Sequence, residues 1–314
     1  MRARPAILSE LLLSALLLML LPTAYSVNAY AETRSSLTVN SLDGKQLPAT
    51  LIKPDGDGPF PAVVIVHDCS GLGPRSSGAP MRWAGELVSE GYVVLVPDSF
   101  SPRGFTDGTC TLPGTVSNVA NGTVRAADAY GALAALRALP YVNAKRVGIM
   151  GGSHGGWTTL AAMVESVNSL DLLAGAKRDG FASAVALYPA CARRYGHWEV
   201  QLQNGNRGPI IGHSGAYKPI APLLILIGEK DDWTPAEPCR QLVDAARAAG
   251  HPIDIKIYPG VHHSFDNNAP VRYSAQRTNG NSPTGQGATT GGDPYAWADA
   301  KKEVASFFAA HLKQ

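Results

Sequence analysis

A strong charge imbalance is missing from this sequence of 314 residues, in which 27 lysines and arginines nearly balance 25 aspartates and glutamates. The formal net charge is +2, and no basic cluster occurs along the chain. Proteins that bind nucleic acids depend on concentrated positive charge, so the composition argues against such a partner. Cysteine is also scarce, since the chain has only four and none belongs to a C-x-x-C or His-Cys cluster. The sequence therefore predicts no metal site, and it indicates no other cofactor.

Long hydrophobic runs are absent apart from Leu11–Leu21. A helix needs roughly 20 apolar residues to cross about 30 Å of hydrocarbon, so this run is too short for a membrane anchor, the alternative interpretation. Two arginines precede the run, and Ala29-Tyr30-Ala31 matches an A-x-A cleavage pattern. These features predict a secretory signal peptide over residues 1–31 and a single domain over residues 32–314. The mature chain is expected to be periplasmic or secreted, without a membrane span.

Export also changes the interpretation of the cysteines. Oxidising compartments favour disulfides, and the chain has an even number of cysteines: Cys69, Cys110, Cys191 and Cys239. Four cysteines allow three pairings, and the residues alone do not select one of them.

Short apolar runs alternate with helical segments along the rest of the chain. Strands are predicted at Leu37–Val39, Leu47–Ile52, Ala62–His67, Tyr92–Val96, Arg146–Met150, Ala182–Tyr188, Leu223–Ile227 and Ile253–Tyr258. Helices are predicted at Met81–Ser89, Val124–Leu139, His154–Val167, Thr234–Gly250 and from Asp293 to about His311. The fourth helix begins with an apparent capping box, Thr234-Pro235-Ala236-Glu237. This alternation predicts an α/β fold with a mostly parallel central sheet and helices on both faces.

Two segments interrupt the alternation. Residues 191–219 are polar and rich in glycine, and residues 274–292 contain several further glycines. Both are interpreted as solvated loops, because long irregular segments are often loosely packed. The functional alternative is that they form a wall over the active site, and the sequence does not decide whether residues 274–292 act as a lid.

The strongest chemical motif is Gly151-Gly152-Ser153-His154-Gly155, which fits G-x-S-x-G. It follows a predicted strand and precedes a predicted helix, the setting in which a sharp turn exposes a nucleophilic serine. The alternative is a plain glycine turn. A serine hydroxyl needs a base and an orienting acid, so the motif indicates a nucleophile only if the chain supplies both.

The acid and the base are found in the order that α/β-hydrolases use, with the acid before the histidine. Asp231 and Asp232 follow the strand that starts at Leu223, and His262 and His263 follow the last strand. Catalytic groups collect at these carboxyl ends in open α/β sheets. Spacing alone does not choose between the two aspartates or between the two histidines.

An oxyanion hole is predicted from two backbone N–H groups. One belongs to His154, directly after the serine, and the other to Cys69, in the loop after the Ala62–His67 strand. Cys69 is also considered as an alternative nucleophile, although nothing near it resembles an elbow. The serine of Gly212-His213-Ser214-Gly215 is interpreted as part of a loop.

Two tryptophans flank the predicted triad in the sequence. Trp157 follows Ser153 by four residues, and Trp233 follows Asp231 by two. We predict that both line an apolar acyl pocket, with ordinary core packing as the alternative.

These motifs together resemble the dienelactone hydrolase family of α/β-hydrolases, over about residues 45–312. The family's G-x-x-D-x-x-x-P stretch is matched by Gly228, Asp231 and Pro235, and its H-S-F stretch by His263-Ser264-Phe265. The resemblance therefore implies that Asp231 is the acid and His263 the base, and it implies the α/β-hydrolase fold.

The sequence departs from the founding members of that family at two positions. They use a cysteine nucleophile in G-x-C-x-G, whereas this chain has Ser153, and their carboxylate-binding arginine corresponds to Asn267. Both changes point to a serine carboxylesterase rather than to an enzyme for true dienelactones. The resemblance to the exported branch implies two disulfides, Cys69–Cys110 and Cys191–Cys239.

The expected function is therefore that of an exported serine hydrolase, which cleaves small-molecule carboxylic esters through an acyl-enzyme without a cofactor. One alternative is a lactonase or polyester hydrolase with a differently shaped pocket. The other is a non-catalytic binding protein on a hydrolase fold, against which the complete triad argues.

Overall fold

The computed structural model describes Met1 and residues 32–112, 121–166, 173–203 and 210–314. Its strands are β1 (Glu32–Asn40), β2 (Gln46–Pro54), β3 (Phe60–Val66), β4 (Val93–Pro97), β5 (Val142–Gly152), β6 (Ala184–Leu187), β7 (Glu199–Leu202), β8 (Ile210–Ser214), β9 (Leu223–Gly228), β10 (Ile253–Tyr258), β11 (Arg272–Thr278) and β12 (Gln286–Thr290). Its α-helices are α1 (Ala79–Ser89), α2 (Gly122–Arg137), α3 (His154–Met163), α4 (Ala174–Arg178), α5 (Ala236–Ala248) and α6 (Pro294–Leu312).

Eight of the described strands form the central sheet, in the order β1-β2-β4-β3-β5-β6-β9-β10. The pairs β1–β2 and β2–β4 are antiparallel, and every pair from β4 to β10 is parallel. Parallel strands bring their carboxyl ends to one edge of the sheet, where the loops after β3, β5, β9 and β10 meet. The predicted α/β-hydrolase fold, with a mostly parallel sheet, is confirmed.

The inner strands β4, β6 and β9 are apolar because the middle of the sheet is covered on both faces. Every residue of β4, β6 and β9 is buried, although successive side chains of a strand point to opposite faces. Helices α2 and α3 contact each other, and α1 and α6 contact through Trp83 and Trp297, whose rings lie 4.5 Å apart. Alternation of strand and helix in the sequence therefore predicted the layers correctly.

Two predicted helix ends are wrong. Helix α3 ends at Met163 rather than Val167, because Val164 is extended and forms a β-bridge with Pro219. Helix α5 begins at Ala236 with Pro235 as its N-cap residue, and no side chain caps it. Thr234 is therefore not the cap that the apparent capping box predicted, since its hydroxyl is used in the functional site. The predicted cap of α6 is correct: Asp293 accepts hydrogen bonds from two N–H groups of the first turn.

The two segments interpreted as loops each contain a two-stranded hairpin. Strands β7 and β8 pair within residues 191–219, and β11 pairs with β12 across residues 274–292. The loop interpretation is wrong for these parts. Their strands are short and largely polar, and they lie outside the central sheet, so they lack the apolar run that marks a buried strand.

Two disulfides are present, in the pairing that the family resemblance implied. The sulfurs of Cys69 and Cys110 lie 2.04 Å apart, and those of Cys191 and Cys239 lie 2.01 Å apart. The predicted signal peptide covers residues 1–31, of which residues 2–31 lie outside the described residues. No helix among the described residues has the length and apolar character needed to cross a membrane.

Candidate active site

Ser153 occupies a sharp turn between β5 and α3. Its backbone has φ 55° and ψ −115°, a conformation that L-amino acids rarely adopt. The neighbouring chain passes so close that a Cβ at Gly151 would lie 2.6 Å from the backbone of Gly155. A Cβ at Gly155 would overlap the carbonyl oxygen of Val66. The glycines of the motif are therefore needed for close packing, and the serine is held at the end of the sheet.

His263 lies between Ser153 and Asp231. Its Nε2 is 2.9 Å from Ser153 Oγ, and its Nδ1 is 2.7 Å from Asp231 Oδ2. All three side chains are buried. With Nδ1–H donating to the carboxylate, Nε2 is free to accept the serine proton. Residues separated by 110 and 32 positions thus form one hydrogen-bonded chain.

The neighbouring aspartate and histidine serve elsewhere. The exposed carboxylate of Asp232 accepts hydrogen bonds of 2.7 Å from the N–H and the hydroxyl of Thr289. His262 directs Nδ1 at the carbonyl oxygen of Lys230, 3.1 Å away. The geometry therefore distinguishes the two members of each pair: Asp231 and His263 are hydrogen-bonded to each other, and Asp232 and His262 have other partners.

Asp231 is oriented by the loop that follows β9. Its Oδ1 accepts backbone hydrogen bonds from Trp233 at 3.0 Å and from Thr234 at 2.8 Å. The hydroxyl of Thr234 lies 3.0 Å from Asp231 Oδ2 and 2.9 Å from the carbonyl oxygen of Tyr188. Sequence reasoning missed this role because Thr-Pro-x-Glu also resembles a helix start. The available signal was its position three residues after the acid.

The two predicted oxyanion donors adjoin the same cavity as the serine. Cys69 and His154 both line it, and neither backbone N–H donates to the protein within the described residues. His154 is the first residue of α3, and the N–H groups in the first turn of a helix have no helical partners. Cys69 is held by its disulfide to Cys110 and by Thr109, whose N–H donates to the Cys69 carbonyl at 2.7 Å.

Three other positions that the sequence analysis considered for a functional role have different roles in the structure. Cys69 has no free thiol, so the alternative that it is the nucleophile is wrong. Ser214 lies exposed at the end of β8 and is not part of the cavity lining. Asn267, at the position of the family's arginine, accepts a hydrogen bond from the N–H of Ala269 and stabilises a turn.

A cavity of about 230 Å³ opens over the serine. Trp157 and Trp233 line it together with Leu112 and Leu202, so its walls are largely apolar. The Trp233 ring lies 5.0 Å from the His263 ring. Both tryptophans are partly exposed, and Trp157 also packs against the hydrophobic core, so core packing and cavity lining coexist at that residue. Arg193 stacks on Trp157 at 5.0 Å and Arg277 on Trp233 at 4.9 Å.

The β11–β12 hairpin forms one wall of this cavity. Its tip is tied to the acid loop, because Trp233 Nε1 donates to the Thr278 carbonyl at 2.8 Å. Side-chain amides complete the attachment: Asn279 donates to the Asp232 carbonyl and Asn281 to the Trp233 carbonyl. The alternative that residues 274–292 wall the site therefore describes their position better than the interpretation as a solvated loop.

Comparisons with known proteins find relatives along most of the chain. The model of the dienelactone hydrolase family matches residues 47–312. A protein of Methylorubrum extorquens, assigned by name as a carboxymethylenebutenolidase, is 24% identical over 267 residues. That match spans 81% of this chain and 79% of the relative.

Solved structures share the fold at lower identity. A dienelactone hydrolase-like promiscuous phosphotriesterase from metagenomic libraries superposes with a TM-score of 0.60 and 17% identity, over 90% of this chain and 99% of that one. A thermophilic esterase from Thermogutta terrifontis superposes with a TM-score of 0.56 and 16% identity, over 91% and 93%. Because the family model matches nearly all of the described chain, this protein belongs to the dienelactone hydrolase family and is one of its hydrolases.

Proposed function

We propose that the chain is an exported serine hydrolase that cleaves small-molecule carboxylic esters through an acyl-enzyme. The observation that carries the proposal is the hydrogen-bonded chain from Ser153 Oγ through His263 to Asp231, with distances of 2.9 and 2.7 Å. A hydroxyl paired with a buried, oriented imidazole is the arrangement that makes serine nucleophilic at neutral pH. The esterase among the structural relatives is consistent with this chemistry.

In the first half of the reaction, Ser153 Oγ attacks the ester carbonyl carbon while His263 Nε2 takes the hydroxyl proton. The carbonyl oxygen becomes an oxyanion, which accepts hydrogen bonds from the N–H groups of Cys69 and His154. Each such donor is worth roughly 3–4 kcal/mol in the transition state. His263 then gives its proton to the leaving alcohol, and the acyl group remains on the serine. Asp231 stabilises the imidazolium throughout.

In the second half, water replaces the alcohol. His263 takes a proton from the water, whose oxygen attacks the acyl carbon, and a second oxyanion forms in the same hole. Its collapse breaks the bond to Ser153 Oγ, and His263 returns the proton to the serine. The products are a carboxylic acid and the regenerated enzyme, and the balance requires no cofactor.

The cavity walls favour an apolar acyl group. Trp157 and Trp233 line the cavity beside the serine, and Leu112 and Leu202 extend the apolar lining. A lactone is an internal ester, so the same site suits the alternative of a lactonase if the ring fits. A polyester segment would have to reach the serine through the same opening.

Export is part of the proposal. Residues 1–31 act as a signal peptide, and residues 32–314 form the mature domain, which is released to the periplasm or the medium. Disulfides such as Cys69–Cys110 persist in those oxidising compartments.

The test compares the mature wild-type protein with Ser153→Ala on p-nitrophenyl esters of graded acyl length and on a lactone panel. We expect the variant to lose at least about 10³-fold in kcat while keeping its circular dichroism spectrum. A fluorophosphonate probe should label the wild type and not the variant. Undiminished turnover in the folded variant would contradict the mechanism, and an unlabelled, inactive wild type would favour the non-catalytic binding protein.

A further inference from the structure

Arg125, on α2, is fully buried, and within the described part of the chain it forms no hydrogen bond with a carboxylate. Its Nη1 donates to His154 Nδ1 at 2.7 Å, and its Nη2 donates to the His67 carbonyl at 2.7 Å. Its guanidinium also lies 4.8 Å from the ring of Phe100. Buried arginines are usually paired with acids, because an uncompensated charge is costly to bury. Such an exception calls for a functional explanation.

An ordinary buried ion pair involves the same helix, because Asp128 of α2 pairs with Arg103. Asp128 lies one turn after Arg125, yet both of its carboxylate oxygens accept hydrogen bonds from Arg103, at 2.8 Å each. The acid that could neutralise Arg125 by direct contact is therefore engaged elsewhere. Arg125 instead directs its N–H groups at a neutral ring and a carbonyl.

Those two acceptors belong to the two segments that carry the proposed oxyanion donors. His154 supplies one N–H itself, and it follows Ser153 at the start of α3. His67 follows the last residue of β3 and precedes Cys69, the other donor, by two residues. The Arg125 guanidinium thus connects the two halves of the oxyanion hole from behind.

The charges around this connection are well defined. Burial lowers the pKa of Arg125 to about 10, so the guanidinium remains protonated at neutral pH. Burial, and next the Arg125 charge, hold the pKa of both His154 and His67 well below the ordinary value, so both rings are neutral. His67 accepts from the Ser99 N–H through Nε2, and its Nδ1 faces the Asp68 carbonyl at 2.8 Å. Asp128, Asp68 and Asp98 act on the Arg125 charge at longer range, and the guanidinium itself directly contacts both segments.

We propose that Arg125 is a positioning residue of the oxyanion hole. It holds the His154 and Cys69 segments at the spacing that the tetrahedral intermediate requires, and its charge stabilises the developing oxyanion through a medium of low polarity. This inference rests on the proposed esterase function. It predicts an effect on the transition state and little effect on the binding of the ground-state ester.

The main experiment compares Arg125→Met, Arg125→Lys and the control Arg137→Met in the mature protein. Arg137 lies on the same helix but donates to the carbonyls of residues 144, 179 and 180, away from the predicted oxyanion donors. The maximal rate of p-nitrophenyl butyrate hydrolysis is divided by the concentration of active sites, which is titrated with a fluorophosphonate, to give kcat. We expect Arg125→Met to lower kcat about 100-fold and to change KM by less than about threefold. The kcat of Arg125→Lys should be about tenfold higher than that of Arg125→Met. Arg137→Met should keep kcat within about threefold.

A second variant keeps the proposal testable if Arg125→Met does not fold, as judged by circular dichroism and thermal melting. His154→Phe removes the acceptor of Nη1 and retains a ring against Phe100 and Trp157. We expect its kcat to fall about tenfold, and the double variant with Arg125→Lys to lose less than the product of the two single losses.

The outcomes separate this inference from the proposed function. A wild type without turnover or labelling overturns both. An active wild type with a folded Arg125→Met variant that keeps kcat within threefold overturns only the role of Arg125, as does a loss in Arg137→Met equal to that in Arg125→Met. Full additivity of His154→Phe and Arg125→Lys also overturns it.

Discussion

The proposed catalytic centre and the walls of the cavity are built in different ways. Ser153, Asp231 and His263 follow strands of the central sheet, are buried, and have fixed hydrogen-bond partners. The walls come from hairpins outside that sheet and from partly exposed tryptophans such as Trp157. The sheet therefore sets the chemistry, while the inserted segments set the shape that a substrate meets.

This difference explains why sequence motifs predict the proposed catalytic centre but not the cavity walls. A triad requires particular residue types in a particular order, so its members are recognisable even when many residues separate them. A wall requires only surface of suitable shape, and many sequences supply it. We therefore expect changes in the centre to abolish turnover, and changes in the walls to redirect it.

The largest effect is expected from Asp231→Asn. Without the carboxylate, the imidazole loses the partner that fixes its tautomer and stabilises its charged form, so kcat should fall about 10³- to 10⁴-fold. The matched control is Asp232→Asn, which changes the neighbouring acid that holds the hairpin through Thr289. Its kcat should stay within about threefold of wild type. Steady-state kinetics on one ester measure both, and an equal loss in the two variants would remove the distinction between centre and wall.

A smaller effect is expected from Trp157→Ala in the wall. The ratio of kcat/KM for a hexanoate ester to that for an acetate ester should fall about tenfold, because the longer acyl chain loses an apolar surface. Trp297→Ala is the matched control, since Trp297 packs on Trp83 and does not line the cavity. It should leave the ratio unchanged. A preference that survives in Trp157→Ala would place the acyl group elsewhere in the cavity.

The smallest effect concerns stability in acid, and it should originate in the centre. His67 is buried and His154 half-buried, and desolvation is the main cause that lowers the pKa of both, so the unfolded chain binds more protons than the folded one below about pH 6.5. Their contribution is fully present above that pH and is lost as the pH falls. The free energy of unfolding should decrease by up to about 1.4 kcal/mol per pH unit for each histidine.

Urea unfolding of the mature protein between pH 7.5 and 5 measures this slope. His154→Phe should reduce the slope of the unfolding free energy against pH. His197→Phe, at an exposed position within residues 191–219, should leave that slope unchanged. The same slope in all three proteins would mean that the acid sensitivity comes from outside the centre.

Much of the central sheet could be predicted because its strands are buried on both faces. The run from Ala62 is apolar for that reason, and so are the strand before Asp231 and the second half of the strand before Ser153. Thr234 was misassigned because a threonine before a proline satisfies two local patterns, and only the tertiary contact with Asp231 decides between them. Arg125 carried no signal at all, since a single arginine in an alanine-rich helix is usually solvated.

The sequence by itself determined the order of the strands of the central sheet and of the helices between them, the strand–turn–helix setting of Ser153 and the family to which the chain is similar. These depend on local periodicity and on residue types that few other roles require. The tertiary structure decided which hydrogen bonds form, how the hairpins wall the cavity, and where the buried guanidinium points. Such contacts join residues far apart in the chain, and their free energies depend on distances and burial that no local pattern encodes.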